Sequence, residues 1–140
     1  MNIYFACSIT GGRQDEPAYQ EIVAALLADG HQVPTALLAG SQVVELEVIV
    51  DPAEVYQRDT AWIEACDLLV AEVSTPSHGV GYEISYALSL GKPVLCLHHQ
   101  DAIVSKMLTG NNHPGITVQA YTDIHHGIAA LRAYLAQSIS

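Results

Sequence analysis

The sequence predicts an α/β fold, in which a doubly wound parallel sheet of five strands is flanked by helices. Short apolar runs, such as residues 68–73 and 93–97, have the pattern of strands that are covered on both faces. Segments with apolar residues at helical spacing lie between these runs. Half of the 140 residues are apolar and only 14% are charged, which is typical of a globular chain. The length suits one domain, and we expect it to span residues 1–140.

The predicted strands and helices alternate along the chain. Five strands are expected at residues 2–7, 31–33, 68–73, 93–97 and 116–119. Helices are expected to begin at Pro17 and Pro52, to fill the stretch before Gly91, and to close the chain at residues 124–135. Residues 43–50 have a strand-like composition and are expected to form an edge strand or a flap. This alternation implies right-handed crossovers and a Rossmann- or flavodoxin-like topology.

The charge and composition exclude several classes of protein. The net charge is −10 and there are five lysine and arginine residues, too few to build the basic stripe that binds a nucleic-acid polymer. A small anion is still compatible with this charge, because backbone amides and helix ends bind phosphate without many lysines. No apolar run reaches membrane-spanning length, and the N-terminus lacks the pattern of a signal peptide.

Neither a cofactor nor a metal ion is expected. The seven histidines show no His-x-x-x-His or mixed Cys/His ligand spacing. Cys7, Cys66 and Cys96 lie far apart and form no Cys-x-x-Cys pair, which is typical of reduced thiols in a cytoplasmic protein. The sequence also has no Gly-x-Ser-x-Gly nucleophile elbow.

Glu83 is the first candidate for chemistry. It follows a turn-rich loop that joins a buried strand to a helix, and open α/β sheets bind ligands at the carboxyl ends of their strands. Gly79 and Gly81 would let a ligand approach the backbone closely. The positive end of the helix is expected to keep Glu83 ionised, as a nucleophile must be. The alternative is a solvated glutamate at a helix start with no further role.

Asp59 is the second candidate, because it lies inside the apolar stripe of a predicted helix. It comes four residues after Val55 and three before Trp62. A buried carboxylate is costly unless it has a partner or a task. At this point two interpretations are open: a functional carboxylate, and an aspartate that caps the helix or forms a salt bridge with Arg58.

The loop at residues 8–15 joins the first strand to the first helix. Ser8 and Arg13 are candidates to bind an anion there, beside free backbone amides. The loop has no Gly-Lys-Ser/Thr ending and does not match the dinucleotide fingerprint. An ordinary polar turn, capped by Asp15, is equally compatible with these residues.

Three stretches of the sequence, residues 3–15, 57–67 and 70–83, resemble the nucleoside 2-deoxyribosyltransferase superfamily, and within it the 2'-deoxynucleoside 5'-monophosphate hydrolases. The run Pro-Ser-His-Gly-Val-Gly-Tyr-Glu, which ends at Glu83, is the most specific part of this similarity. The resemblance implies an N-glycosidic bond as the target. Glu83 would attack the anomeric carbon, Asp59 would assist the leaving base, and Tyr4 would hydrogen-bond the nucleophile.

The same resemblance implies a set of substrate-binding residues around a 5'-phosphate. They are Ser8, Gly11, Arg13, Asp15, Ser77, Gly79, Gly81, Ser105 and Met107. Ser105 matches a serine that family members extend into the neighbouring subunit's site, which implies a homodimer with a shared active site. Thr10 stands where the monophosphate hydrolases have an arginine, so one phosphate-binding guanidinium is missing. Residues 34–50 have little likeness to the family and are expected to cover the base.

The leading hypothesis is therefore an N-glycoside hydrolase that acts on a (deoxy)nucleoside 5'-monophosphate through a glycosyl-enzyme intermediate on Glu83. Its products would be free base and sugar 5-phosphate. A transferase that exchanges one base for another would use the same covalent step. A nucleotide-binding module without turnover would fit the fold and the glycine loops equally well.

Overall fold

The computed structural model, which describes residues 1–139, contains a parallel sheet with helices on both faces. The four strands follow their sequence order across the sheet: β1 (Ile3–Ala6), β2 (Leu68–Glu72), β3 (Val94–His99) and β4 (Ile116–Tyr121). The helices are α1 (Glu16–Ala28), α2 (Val43–Ile49), α3 (Pro52–Ala65), α4 (His78–Ser89), α5 (Lys106–Thr109) and α6 (Ile124–Ser138), and a short 3-10 helix spans Ala36–Ala39.

Alternate residues of β1, β2 and β3 point to opposite faces of the sheet, and each face carries its own core. On β1, Phe5 packs into the core that includes Tyr19 of α1 and Leu131 of α6. Tyr4 points the other way, into the core that includes Ile63 of α3 and Ile84 of α4. Every residue of β1 and β2 is buried, as the continuous apolar runs predict. The prediction of a Rossmann-like α/β fold, with a parallel sheet flanked by helices, is therefore confirmed.

The predicted number of strands is wrong, because the sheet has four strands and not five. The stretch expected as a second strand, residues 31–33, makes one isolated parallel bridge between Gln32 and Asn2. Pro34 follows at once and has no backbone N–H with which to continue a ladder. The bridge therefore cannot extend towards the carboxyl end.

The segment expected to form an edge strand or a flap is a helix, α2. Its valines and isoleucine favour strands on average, but such preferences yield to tertiary context. In the helix, Val44, Glu47 and Val48 lie three and four residues apart and face one cavity. Val43 is buried below them. The alternation of a strand would have sent Val44 and Glu47 to opposite faces.

The ends of the helices that frame the site agree with the sequence signals. The Asp51 side chain caps α3 by accepting a hydrogen bond from the backbone N–H of Ala53 at 2.8 Å, and Pro52 occupies the first helical position. After α4, Gly91 takes a φ of +72°, the left-handed conformation that suits a helix end. These caps fix the start of α3 and the end of α4.

Cys7, Cys66 and Cys96 are free and buried, as predicted for reduced thiols. Within residues 1–139, helices of the length and hydropathy needed to cross a bilayer do not occur.

Candidate active site

A cavity of about 440 Å³ lies between α2, α3, the start of α4 and the loop that follows β1. Its walls are mostly apolar, with side chains such as Val44, Val55 and Tyr82. The carboxylates of Asp59 and Glu83 both line it. An apolar cavity with a few convergent polar groups is the usual form of a small-molecule site. The two carboxylates singled out in the sequence therefore converge on one cavity.

Glu83 is half-buried, and its electrostatic environment differs from the one predicted. Because α4 begins at His78, Glu83 lies in the second turn of the helix, where the dipole has little effect. The pKa of Glu83 is raised to about 7, mainly by burial and to a smaller extent by the nearby charges of Asp59 and Glu47. A hydrogen bond from Tyr4 and the charge of Arg58 act in the opposite direction. The helix dipole was expected to favour the ionised form of Glu83, whereas burial, the largest effect on its pKa, favours the neutral form.

Tyr4 lies in the middle of β1, with 1% of its surface exposed, and faces α3 and α4. A side-chain hydrogen bond links it to Glu83. Burial, and then the charges of Glu83 and Asp59, raise the pKa of the Tyr4 hydroxyl far above its usual range. The hydroxyl therefore stays protonated and donates to the carboxyl of Glu83.

Asp59 is held by its neighbour in sequence. Arg58 Nε donates to Asp59 Oδ1 at 2.8 Å, and the Asp59 side chain is only 17% exposed. Burial raises the pKa of Asp59 above its ordinary value, while the hydrogen bond and charge of Arg58 lower it. The salt bridge considered from the sequence exists, and it leaves Asp59 on the cavity wall beside Glu83.

Glu47 is a cavity residue that the sequence did not reveal. Arg58 Nη2 donates to Glu47 Oε1 at 3.1 Å, so one guanidinium bridges carboxylates from α2 and α3. The guanidinium also lies over the ring of Trp62, 5.1 Å from its centroid. The only sequence signal was the helical spacing of Glu47 from Val43 and Val44, within a segment whose composition favours strands.

The loop after β1 docks directly on the loop after β2. A Cβ atom at Gly11 would lie 2.5 Å from Pro76 O and 3.0 Å from Ser8 Oγ, so only glycine fits there. Thr75 Oγ1 donates to Asp15 Oδ2 at 2.5 Å and ties the same two loops together. The buried Ser8 hydroxyl finds no hydrogen-bond partner among the described residues. Such an unpaired group is costly and is a candidate to bind a ligand.

Arg13, predicted to bind an anion, is used within the chain. Its Nη atoms donate to the carbonyl oxygens of Ser8, Leu38, Ala39 and Gly40, at 2.9–3.2 Å, and Nε donates to Glu16. In this conformation the guanidinium fastens the 3-10 helix to the loop after β1. Because these contacts use all three of its side-chain nitrogens, Arg13 cannot take the place of the arginine that the monophosphate hydrolases have at the position of Thr10.

The remaining predicted binding residues divide between two cavities on either side of α4. Gly79 lines the cavity that contains Glu83, and a Cβ atom there would lie 3.9 Å from Glu83 Oε1. Ser77, Gly81, Ser105 and Met107 line a second cavity of about 300 Å³. Ser77 and Ser105 also cap helices α4 and α5, accepting from backbone N–H groups at 3.3 and 3.2 Å. Within one chain, Ser105 therefore lies away from the Glu83 cavity.

The sequence matches one protein family over most of its length. Residues 3–120 match the model of the nucleoside 2-deoxyribosyltransferase family. The match spans β1 through most of β4 and includes the three residues Tyr4, Asp59 and Glu83. The chain belongs to this family.

Relatives and one solved structure extend the comparison. A protein of Methanococcoides burtonii, provisionally named 2'-deoxynucleoside 5'-phosphate N-hydrolase 1, is 40% identical over 121 residues, which is 86% of this chain and 99% of that protein. The 5-hydroxymethyl-dUMP N-hydrolase of Mus musculus is 40% identical over 116 residues, 78% of this chain and 65% of the mouse protein. The structure of the Clostridium botulinum CMP N-glycosidase BcmB superimposes with a TM-score of 0.71 at 19% identity, covering 94% of this chain and 98% of that one, and it supports the fold.

Proposed function

We propose that this protein is a nucleotide N-glycosidase that hydrolyses the base–sugar bond of a (deoxy)nucleoside 5'-monophosphate. The observation that carries the proposal is that Glu83 and Asp59 line one mostly apolar cavity, with the buried Tyr4 hydrogen-bonded to Glu83. The names of the two relatives, which are those of nucleotide N-hydrolases, support it. The products are free base and sugar 5-phosphate.

In the first step, the Glu83 carboxylate attacks the anomeric carbon of the sugar. The bond between that carbon and the base nitrogen breaks, and its electron pair leaves with the base. Asp59 gives a proton to the departing base, a role that its raised pKa favours. This step produces a glycosyl ester on Glu83. Tyr4 fixes the attacking carboxyl by its hydrogen bond.

In the second step, water replaces the enzyme at the anomeric carbon. Asp59, now ionised, accepts a proton from the water, whose oxygen bonds to that carbon. The bond to the Glu83 oxygen breaks, and Glu83 returns to its carboxylate form. The apolar walls of the cavity limit entry of other water molecules.

In this proposal, the 5'-phosphate of the substrate binds to the loops after β1 and β2 and to the first turn of α4. The unpaired Ser8 hydroxyl supplies one donor, and Ser77 supplies another. The Gly79 amide belongs to a helix N-terminus, where backbone N–H groups have no intrahelical partner and attract anions. Thr10, which lines the Glu83 cavity, offers a hydroxyl in place of a guanidinium.

In the proposed enzyme, a second copy of the chain completes the active site. Ser105 and Met107 lie outside the Glu83 cavity of their own chain, and the Met107 side chain is exposed. In a homodimer these residues would approach the partner's phosphate loops. Sedimentation analysis should find a dimer, and Ser105→Ala should raise KM for a monophosphate more than for a nucleoside. A monomer with full activity would contradict the shared site.

The direct test is a panel of nucleosides and 5'-monophosphates, in ribo and deoxy forms, assayed for released base. Deoxynucleoside monophosphates should be cleaved, and Glu83→Ala should lower kcat by at least about 10³-fold with the fold intact by circular dichroism. The matched control is Glu54→Gln in the first turn of α3, an exposed glutamate outside the cavity. Cleavage by Glu83→Ala at the wild-type rate would overturn the assignment. Tight binding of nucleotides without base release would favour a binding module.

Base exchange is the second candidate, and the family match favours it because the family is described as a transferase. The two reactions share the glycosyl ester and differ in the acceptor. A deoxynucleoside substrate incubated with a second free base should yield a newly joined nucleoside if the protein is a transferase. A hydrolase would release sugar and base only.

A further inference from the structure

Helix α2 is attached to the rest of the molecule by few buried side chains. Val43 is its one buried residue, and Val48 and Ile49 are each 80% exposed. Glu47, in contrast, is only 15% exposed in its side chain and is bound by Arg58. The ion pair between Glu47 and Arg58 is therefore the main polar attachment of α2 to α3 among the described residues.

Arg58 is itself held in place on three sides. Its Nε atom donates to Asp59 at 2.8 Å, its Nη2 atom donates to Glu47 at 3.1 Å, and the guanidinium plane lies over Trp62. A planar guanidinium that binds two carboxylates at once fixes their relative positions. Moving α2 away from the cavity would break the contact with Glu47 and free Arg58 to turn away from Asp59.

We infer that the Glu47–Arg58 pair is a positioning device for N-glycoside cleavage: it holds α2 over the cavity and, through the same guanidinium, fixes Asp59 beside Glu83. The inference rests on the proposed function for its catalytic meaning. Neither residue contacts the reacting atoms in this scheme. Closing α2 over the base and orienting Asp59 become a single event, because both depend on one side chain.

The charges around Glu83 allow this role to be separated from simple attachment of α2. The titratable and charged groups that face Glu83 are Tyr4 and Cys7 from β1 and its end, Asp59 and Arg58 from α3, and Glu47 from α2. After burial, Arg58 lowers the pKa of Glu83 and Glu47 raises it. Arg58 likewise lowers the pKa of Asp59, and Glu47 raises it. Removing either residue breaks the same ion pair, yet the two removals shift the titration of Glu83 in opposite directions.

The experiment compares Arg58→Gln and Glu47→Gln, with the Glu83 titration followed in the free protein by carbon-13 NMR. Arg58→Gln should move the titration to higher pH, and Glu47→Gln to lower pH. Amide hydrogen exchange in α2 should quicken in both variants. In substrate assays, Arg58→Gln should lower kcat roughly 10- to 100-fold, since misplaced catalytic groups cost rates of this size. Arg132→Gln, which breaks the surface ion pair with Asp29, is the matched control and should change none of these quantities.

A charge swap separates the two functions of the pair. Glu47→Arg combined with Arg58→Glu rebuilds an ion pair between α2 and α3 but places a carboxylate beside Asp59. Exchange in α2 should return to the wild-type rate, while kcat stays low. Recovery of full turnover by the swap would overturn the inference, as would shifts of the Glu83 titration in the same direction in both single variants. The NMR and exchange readouts do not need turnover, so an inactive wild-type protein would refute the proposed function separately.

Discussion

The hydroxyl of Tyr4 on β1 is hydrogen-bonded to the carboxyl of Glu83 on α4. The contact joins the first strand of the chain to the helix that follows β2. Because β1 is entirely buried, the strand fixes the position of the hydroxyl with little freedom. The donor is therefore preorganised for the carboxylate that the proposed reaction uses as nucleophile.

Tyr4→Phe should shift the pH dependence of turnover. The hydrogen bond lowers the pKa of Glu83, so its removal raises that pKa above about 7. Since the nucleophile must be ionised, the acid limb of kcat/KM should move to higher pH, with little change well above it. Tyr86→Phe is the matched control, because it removes a surface hydroxyl bonded to Glu64 at 2.6 Å. An unshifted acid limb in Tyr4→Phe would count against the hydrogen bond.

Asp59→Asn should lower kcat by about 10² to 10⁴-fold, the usual contribution of a general acid–base group. The loss should be smaller for substrates whose base departs without protonation. Steady-state rates for two substrates with different leaving bases provide the measurement. Asp29→Asn removes another aspartate bound to an arginine, remote from the cavity, and should leave the rate unchanged. Equal losses for both substrates would remove the proton-transfer role of Asp59.

Glu83→Gln should stabilise the fold in alkaline solution. The pKa of Glu83 in the folded protein, about 7, lies above its ordinary value of 4.5, so ionisation opposes folding. Wild-type stability relative to the variant should fall as the pH rises from about 4.5 through about 7, and the difference should disappear in more acidic solution. At about pH 8, the free energy of unfolding of Glu83→Gln should exceed that of the wild type by at most about 3 kcal/mol. Thermal unfolding across this range would measure it, and a variant that is less stable in alkali would contradict the buried charge.

Gly11→Ala should weaken the docking of the two loops. The added Cβ would meet Pro76 O at 2.5 Å, and the backbone on both sides must move to relieve the overlap. We expect a loss of about 1–3 kcal/mol in the free energy of unfolding, and a higher KM for monophosphates. Gly81→Ala provides the contrast, because its Cβ meets no atom within 4 Å and alanine favours helices by up to about 1 kcal/mol. The free energy of unfolding measured in urea should therefore fall for Gly11→Ala and rise for Gly81→Ala.

The elements that carry the candidate site were predictable where one local signal dominated. β2 follows from its uninterrupted apolar run, and α3 follows from its capping aspartate, Asp51, and the proline after it. The position of Asp59 inside an apolar stripe correctly indicated a half-buried carboxylate. These features depend on residues close together in sequence, and periodicity and capping report such residues directly.

Long-range packing decided what the sequence did not reveal. The helical form of α2 depends on a cavity built by α3 and α4, and Glu47 acquires its role from Arg58 on another helix. The depth of Glu83 below the surface sets its pKa, and no local pattern reports that depth. The predicted second strand does not form, because Pro34 ends the hydrogen-bond ladder after one bridge. The local sequence around a residue therefore predicts its secondary structure better than its burial and its long-range contacts.

Four of the five lysine and arginine residues of this chain bind other groups of the protein itself. Arg13 binds carbonyl groups, Arg58 binds carboxylates, Arg132 binds Asp29, and Lys92 Nζ donates to Cys66 O at 2.8 Å. With a net charge of −10, the protein repels an approaching phosphate until it is close. Encounter with an anionic substrate should then quicken as added salt screens this repulsion, the reverse of electrostatic steering. Under the proposed function, short-range hydroxyls and amides, rather than these four cations, would bind the phosphate.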